Sequence, residues 1–241
     1  MGDRSDLPLP SSSYDLVIIL VGVQHPGNLG AVCRSLLNHG YDRLRLVNPV
    51  CSPDDIEARN RAKHAGRILD HCEVFSSFDE AVSDCSVVVG TSGKREVGSK
   101  TQMRHFVYPW EFSERVSTQT ESVALVFGEE GKGLDENDLL NCDYLVTLPT
   151  WEGYPITNLS HAVHTLTYEL HRHRVLINQG KEEAMPSIVP LERGISPEQR
   201  EVLRKAIMDI AKNLPGGVER KKSFGHSMIR ALQRSGLLWH P

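Results

Sequence analysis

Residues 16–23 read LVIILVGV, an apolar run with no polar side chain to break it. A strand wetted on one face alternates polar with apolar residues. A run without alternation fits a strand covered on both faces, the environment of a parallel sheet between helical layers. It is also too short for a membrane span, which needs about 20 apolar residues, and no longer apolar run follows it.

The rest of the chain keeps to that scheme. Residues 24–28 form a Pro/Gly loop, and 29–39 predict a helix with Leu29, Val32, Cys33, Leu36 and Leu37 as its apolar stripe and Gly40 as its stop. Further strands are expected at 44–47, 73–75, 87–90, 122–127 and 144–148. Ser52-Pro53-Asp54-Asp55 has the composition of a helix start, with Ser52 as N-cap. The helix it opens reaches through 58–69 with a break; shorter helices are expected at 78–83 and 136–141, and a long amphipathic one at 159–177. The stretch 91–107 is polar, glycine-containing and rich in cations, and reads as a long loop. Strands alternating with helices predict an α/β fold on a mainly parallel sheet.

Four regions follow. Residues 1–13 are a Pro/Ser-rich flexible leader without an apolar signal core, 14–178 hold the α/β domain, and 179–195 are a linker. Residues 196–241 are a helical extension, with Ser196 capping a helix over 197–213 and a second helix at 224–236. Charge divides along the same line. Of 27 basic and 31 acidic residues, ten basic and four acidic fall in 193–241, which leaves the first 192 residues with 17 basic and 27 acidic. Bulk charge therefore does not drive nucleic-acid binding here; local patches or the tail must do it. The cation-rich loop offers Lys94, Arg95, Lys100 and Arg104 for phosphates, and Arg220, Lys221 and Lys222 come next. Five cysteines without a CxxC pair argue against a disulfide framework and a zinc site, and fit a reducing cytoplasm.

Open α/β sheets bind ligands at the carboxyl ends of their strands. The segments there are GVQHPGNLGAVCR (22–34), TSGKR (91–95), FGEEGKGL (127–134) and LPTWEGYPITNLSHA (148–162). They match no common nucleotide site. Gly131-Lys132 is followed by Gly133 rather than a hydroxyl residue, so a phosphate loop fails. Gly22, Gly27 and Gly30 have the wrong spacing for a dinucleotide turn, and Val47-Asn48-Pro49 supplies no acid after the second strand. No GxSxG elbow supports a hydrolase.

Taken together, HPGNLGAVCRSLLNHG followed by RLRLVNP, then VGTSGKR, ALVFGEEGKGL and CDYLVTLPT with YPITNLSHAVHTLTYEL resemble the SPOUT superfamily of trefoil-knotted RNA methyltransferases. Within it the chain resembles the tRNA 2'-O-ribose methyltransferases that modify nucleotide 32 of the anticodon loop. The resemblance covers residues 16–170, with four motifs in the family's order. It implies a parallel sheet whose C-terminal part forms a deep trefoil knot, an obligate homodimer, S-adenosylmethionine as methyl donor and tRNA as partner; the sequence itself shows no metal-ligand cluster and no membrane-length apolar run, so neither metal nor membrane is expected. A SPOUT enzyme acting on ribosomal RNA and a catalytically silent RNA-binding knot protein are the alternatives.

Residue by residue, the resemblance assigns Asn28, Arg34, Glu130 and Asn158 to the catalytic centre. Asn28 and Asn158 also sit where helix caps are expected, and Glu129 reads as a solvated neighbour of Glu130. Thr91, Ser92, Gly93, Gly128, Leu148, Pro155, Ile156 and Thr157 would line the donor pocket, chiefly through backbone. The family more often has Ser-Leu-Asn where this chain has Ile156-Thr157-Asn158, so no side-chain hydroxyl is expected at Ile156. For Arg34 a base role is chemically poor, because a guanidinium keeps its proton at any physiological pH. A charged arginine would instead stabilise a developing 2'-oxyanion and clamp a neighbouring phosphate.

Overall fold

A computed structural model describes residues 7–93, 106–119, 121–178 and 196–234. Within these, strands β1 (Asp15–Val21), β2 (Leu44–Val47), β3 (Glu73–Phe75), β4 (Val87–Thr91), β5 (Phe106–Val107), β6 (Ser122–Phe127) and β7 (Tyr144–Val146) form one sheet. Its order is β3-β2-β1-β6-β4-β7-β5, and every neighbouring pair is parallel. The helices are α1 (Pro26–Asn38), α2 (Ile56–Ala62), α3 (Gly66–Asp70), α4 (Phe78–Ala81), α5 (Pro109–Val116), α6 (Glu136–Leu140), α7 (Leu159–Asn178), α8 (Pro197–Lys212) and α9 (Val218–Arg234).

Both faces of the sheet are covered, as the unalternating first strand requires. Ile18, Leu20, Leu125 and Phe127 face one apolar layer with Leu29 and Leu36 of α1, Phe112 of α5 and Leu166 and Leu170 of α7. Val17, Ile19, Ala124 and Val126 face the other, with Phe78 and Ala81 of α4 and Leu139 of α6. Each fully buried leucine or isoleucine contributes about 2 kcal/mol. Because all strands run the same way, their carboxyl ends share one edge, and the loops that leave them share it too.

The expected elements hold with shifts that have local causes. β1 stops at Val21 because Gly22 turns into the left-handed region (φ +65°), donating its N–H to the Val47 carbonyl at 2.8 Å. α1 starts one turn early, at Pro26, whose fixed φ suits a first helical residue. Asn28 is therefore the third residue of the helix, and His25 takes the N-cap position expected of Asn28. Ser52 caps no helix: it closes a turn with Asp55, and α2 begins only at Ile56. The expectation for 91–107 missed β5, and α5 was not anticipated, although Tyr108-Pro109 with Glu111 carried its signal. Glu111 Oε2 accepts the Tyr108 N–H at 2.7 Å, as in a capping box. The N-terminal segment is tethered from Pro10 onward: Pro10 lies against Gly40, Ser12 accepts from Arg174 at 2.8 Å, and Ser13 donates to the Ser117 carbonyl at 2.7 Å.

The helices α8 and α9 dock on the turn between α6 and β7 through arginines. Arg230 donates to the carbonyls of Leu139 (2.7 Å) and Cys142 (3.2 Å), and Arg204 to that of Asn141 (3.3 Å). Arg200 pairs with Asp143 at 3.4 Å, both side chains being buried. Cations thus meet the orphan carbonyls and negative dipole end of α6. Part of the tail's positive charge is directed inward.

Candidate functional site

Three of the loops on the carboxyl edge are joined by a chain of hydrogen bonds. After β6, Gly128–Leu134 folds back on itself: Gly133 donates its N–H to the Glu129 carbonyl at 2.8 Å, with Gly131 and Gly133 both at positive φ (+84° and +78°). A Cβ on Gly128 would stand 2.0 Å from the Gly133 carbonyl carbon, so the turn itself demands glycine there. The turn presents Glu130. Its Oε2 accepts the Gln24 N–H at 2.9 Å, and its Oε1 accepts from His25 N–H at 3.3 Å and from Asn28 Nδ2 at 3.1 Å. Asn28 Oδ1 in turn accepts from Asn158 Nδ2 at 3.1 Å. Asn158 Oδ1 accepts from the Ser160 N–H (2.9 Å) and hydroxyl (2.7 Å) and caps the start of α7.

This network fixes both asparagine amides, since each uses oxygen and nitrogen on different partners. Burial opposes ionisation of the half-buried Glu130. The donors Asn28, Gln24 and His25 outweigh it, and the carboxyl lies below the usual glutamate range. A carboxylate so held is a weaker base than a free one, and its hydrogen bonds join the loops that follow β1 and β6. Glu129 is not merely solvated: Gln24 Nε2 donates to it and Lys132 Nζ lies 2.8 Å away. Gln24 escaped the sequence reading, its one signal being its place after the β1 turn.

A second group gathers at the ends of β4 and β7. Ser92 donates its N–H to the Val146 carbonyl at 3.1 Å, and the Thr91 hydroxyl donates to Val126 at 3.0 Å. A Cβ on Gly93 would lie 3.0 Å from Ile156 Cδ1 and 3.7 Å from the Pro155 carbonyl oxygen. The loop after β7 closes on itself, with Thr150 donating to Pro155 at 2.9 Å. Leu148 packs against the core, Thr157 is half-buried, and Ile156 is exposed. Gly93 is therefore brought against Pro155 and Ile156, with Thr91 and Ser92 held on β6 and β7 beside it.

Arg34 is not part of either group. It lies on the face of α1 that carries Gly27 and Gly30 and lines a cleft of about 530 Å³ with Ile56, Glu57, Asn60, Arg61 and Lys63. The glycines let the helices close: a Cβ on Gly30 would fall 2.2 Å from the Ala58 carbonyl oxygen. Lys94, Arg95, Lys100 and Arg104 lie outside the described residues.

The model of the SpoU rRNA Methylase family matches residues 15–168. The chain is 37% identical over 158 residues to tRNA (cytidine-2'-O-)-methyltransferase TrmJ of Methanocaldococcus jannaschii, covering 66% of this chain and 68% of that protein. Its fold matches TrmJ of Z. mobilis ZM4 with a TM-score of 0.69 at 24% identity, over 93% of this chain and 92% of that one, so the likeness in fold runs well past the motif-bearing residues. It also matches the SpoU methyltransferase AviRb of Streptomyces viridochromogenes, solved with AdoMet, with a TM-score of 0.53 at 21% identity over 69% and 63% of the two chains. The order of motifs, the parallel sheet and the family match agree, and the chain belongs to the SpoU methylase family of the SPOUT superfamily.

Proposed function

We propose that this protein transfers a methyl group from S-adenosylmethionine to a ribose 2'-hydroxyl of tRNA, at nucleotide 32 of the anticodon loop. The observation that carries the reading is the union of Asn28, Glu130 and Asn158 in one hydrogen-bonded network beside the close approach of Gly93 to Pro155 and Ile156. The donor set fits the cofactor. The space at Gly93 is one that a Cβ would fill, and the walls offer backbone groups with apolar Leu148 and Ile156, as an adenosine moiety requires. When bound, S-adenosylmethionine supplies a methyl carbon made electrophilic by its sulfonium.

The chain's own residues do the rest. Thr91, Ser92, Gly93, Gly128, Leu148, Pro155, Ile156 and Thr157 hold the donor. Glu130 and the two asparagines keep the loops in register, and Glu130, held ionised, takes no part as the base. The Arg34 guanidinium favours the developing 2'-oxyanion and clamps the adjacent phosphate, while the hydroxyl proton leaves to water or phosphate. Lys94, Arg95, Lys100 and Arg104 take further phosphates.

The reading includes a knotted C-terminal half, a homodimer and a cytoplasmic location, with residues 14–178 as the catalytic domain and 196–241 as its extension. In support of the knot, β6 inserts between β1 and β4, and β7 between β4 and β5. In support of a second copy, Trp151 and Tyr154 are almost fully exposed on the loop after β7, and Tyr168 is half-exposed on α7. All five cysteines are free, which suits a reducing compartment, and among the described residues no helix is long and apolar enough to cross a membrane.

Calorimetric titration with S-adenosylmethionine, followed by labelled methyl incorporation into bulk tRNA and bulk ribosomal RNA, tests the reading. Donor binding with label in tRNA, mapped to nucleotide 32, is the expected result. Label in ribosomal RNA alone, or no donor binding, overturns it.

A further inference from the structure

The cleft between α1 and α2 combines two features that the fold alone does not require. The first is unpaired positive charge. Elsewhere in the α/β body Arg43, Arg45, Arg59, Arg67, Lys132 and Arg172 each meet a carboxylate; Arg174 and Arg115 meet none among the described residues, but Arg174 is buried on Ser12 and the His39 carbonyl and Arg115 is half-buried. In this cleft Arg34 and Lys63 meet none among the described residues, and Arg61 has only Glu57 at 3.8 Å. Glu57 is the one acid on the cleft wall, against three cations and the Asn60 amide.

The second feature is backbone strain. Lys63 ends α2 at φ +53°, ψ −120°. These are the angles of the first central residue of a type II' turn, a glycine position that side chains rarely adopt. Its N–H still closes the helix by donating to the Arg59 carbonyl. A glycine would serve the turn better; lysine is there at a cost, and strain held in this way points to function. The exposed Ile56 adds an apolar ledge at the same wall.

Resting on the methyltransferase reading above, we infer that this cleft is the track for the sugar–phosphate backbone of the substrate RNA next to the acceptor ribose. Lys63, Arg61 and Asn60 take the phosphates that flank the ribose served by Arg34. Arg34 on α1 faces Arg61 and Lys63 at the end of α2, so a strand in the cleft meets cations from both sides, and Arg34 and Lys63 lose no ion pair on meeting phosphate.

The test measures tRNA binding without turnover, at several salt concentrations, beside methyl transfer and donor affinity. Lys63→Ala and Arg61→Ala are each expected to weaken tRNA binding about 3- to 10-fold and to reduce the slope of log affinity against log salt by about 1. Donor affinity stays at the wild-type value, and Lys63→Arg restores binding. Lys63→Gly loses the same affinity while its melting temperature equals or exceeds that of the wild type, because the turn relaxes; this separates the charge from the fold. Lys205→Ala, on α8, serves as the control with unaltered affinity. Wild-type affinity and salt slope in the Lys63 and Arg61 variants would overturn the inference. So would a wild-type protein that does not bind tRNA. A protein that binds tRNA through Lys63 yet transfers no methyl group to it would instead overturn the methyltransferase reading and leave the cleft standing.

Discussion

The Asn28–Glu130–Asn158 network and the α1–α2 cleft leave the same helix on different faces and are built on opposite terms. In the network the asparagine amides and the Glu130 carboxylate meet partners within the chain. In the cleft Arg34 and Lys63 meet none among the described residues. A satisfied network holds loops in place and has little left to offer a ligand; unpartnered cations offer a ligand much and hold nothing together. Damage to the first should therefore appear in stability and activity together, and damage to the second in activity alone.

The sharpest test of that division is Arg34→Ala. Methyl transfer should fall about 10²- to 10³-fold, the loss typical of a group that stabilises developing charge, while the unfolding free energy stays within about 0.5 kcal/mol of wild type. Steady-state kinetics and chemical denaturation read the two effects separately. Arg34→Lys, which keeps the charge and loses the planar fork, should recover only a small part of the rate; near-normal turnover would exclude bidentate positioning.

Glu130→Ala should break the contrast from the other side. It strands the Gln24 and His25 N–H groups and the Asn28 amide, costing about 2 kcal/mol in denaturation, and donor affinity by calorimetry should fall with it. Asn158→Ala removes a cap and one link of the network, and about 1 kcal/mol of stability should go with it. A variant of either residue that lost activity at full stability would give the network a direct chemical role.

The smallest effect concerns pH. Burial, with His164 and His171 nearby, lowers the pKa of His39 from 6.5 to about 4, so the folded protein keeps it neutral. The unfolded chain takes up the proton first. Stability attributable to His39 is therefore complete above pH 6.5 and declines as pH falls from 6.5 towards 4. Melting curves across that window should show a shallower decline in His39→Gln than in wild type. The lowered pKa of Glu130 acts separately: its contribution is present above the ordinary glutamate pKa and is lost at still lower pH.

Much of the fold was legible because its signals are local. The unalternating run at 16–23 announces two covered faces, and 44–47, 73–75 and 122–127 coincide with observed strands. What escaped depends on single turns: Gly22 ends β1 early, Pro26 starts α1 early, and Tyr108-Pro109 with Glu111 opens an unexpected helix. The site was legible as a set of residues and not as a geometry. Residue order brings Asn28, Glu130 and Asn158 into one inventory, but only the parallel sheet places positions 102 and 130 residues apart within 3.1 Å. Spacing on α1 likewise leaves open which wall Arg34 joins, because that depends on how Gly27 and Gly30 let α2 approach.

The arginine anchorage of α8 and α9 has a further consequence. Asp143 accepts the Val88 N–H and faces Arg200 in the interior, and the strand it introduces feeds directly into the loop that holds Pro155 and Ile156. Removing the extension would take Arg200 away from Asp143 and uncap a helix at the root of that loop. The extension is therefore tied into the turn between α6 and β7, and a truncated or chimeric protein would lose the Arg200, Arg204 and Arg230 contacts together.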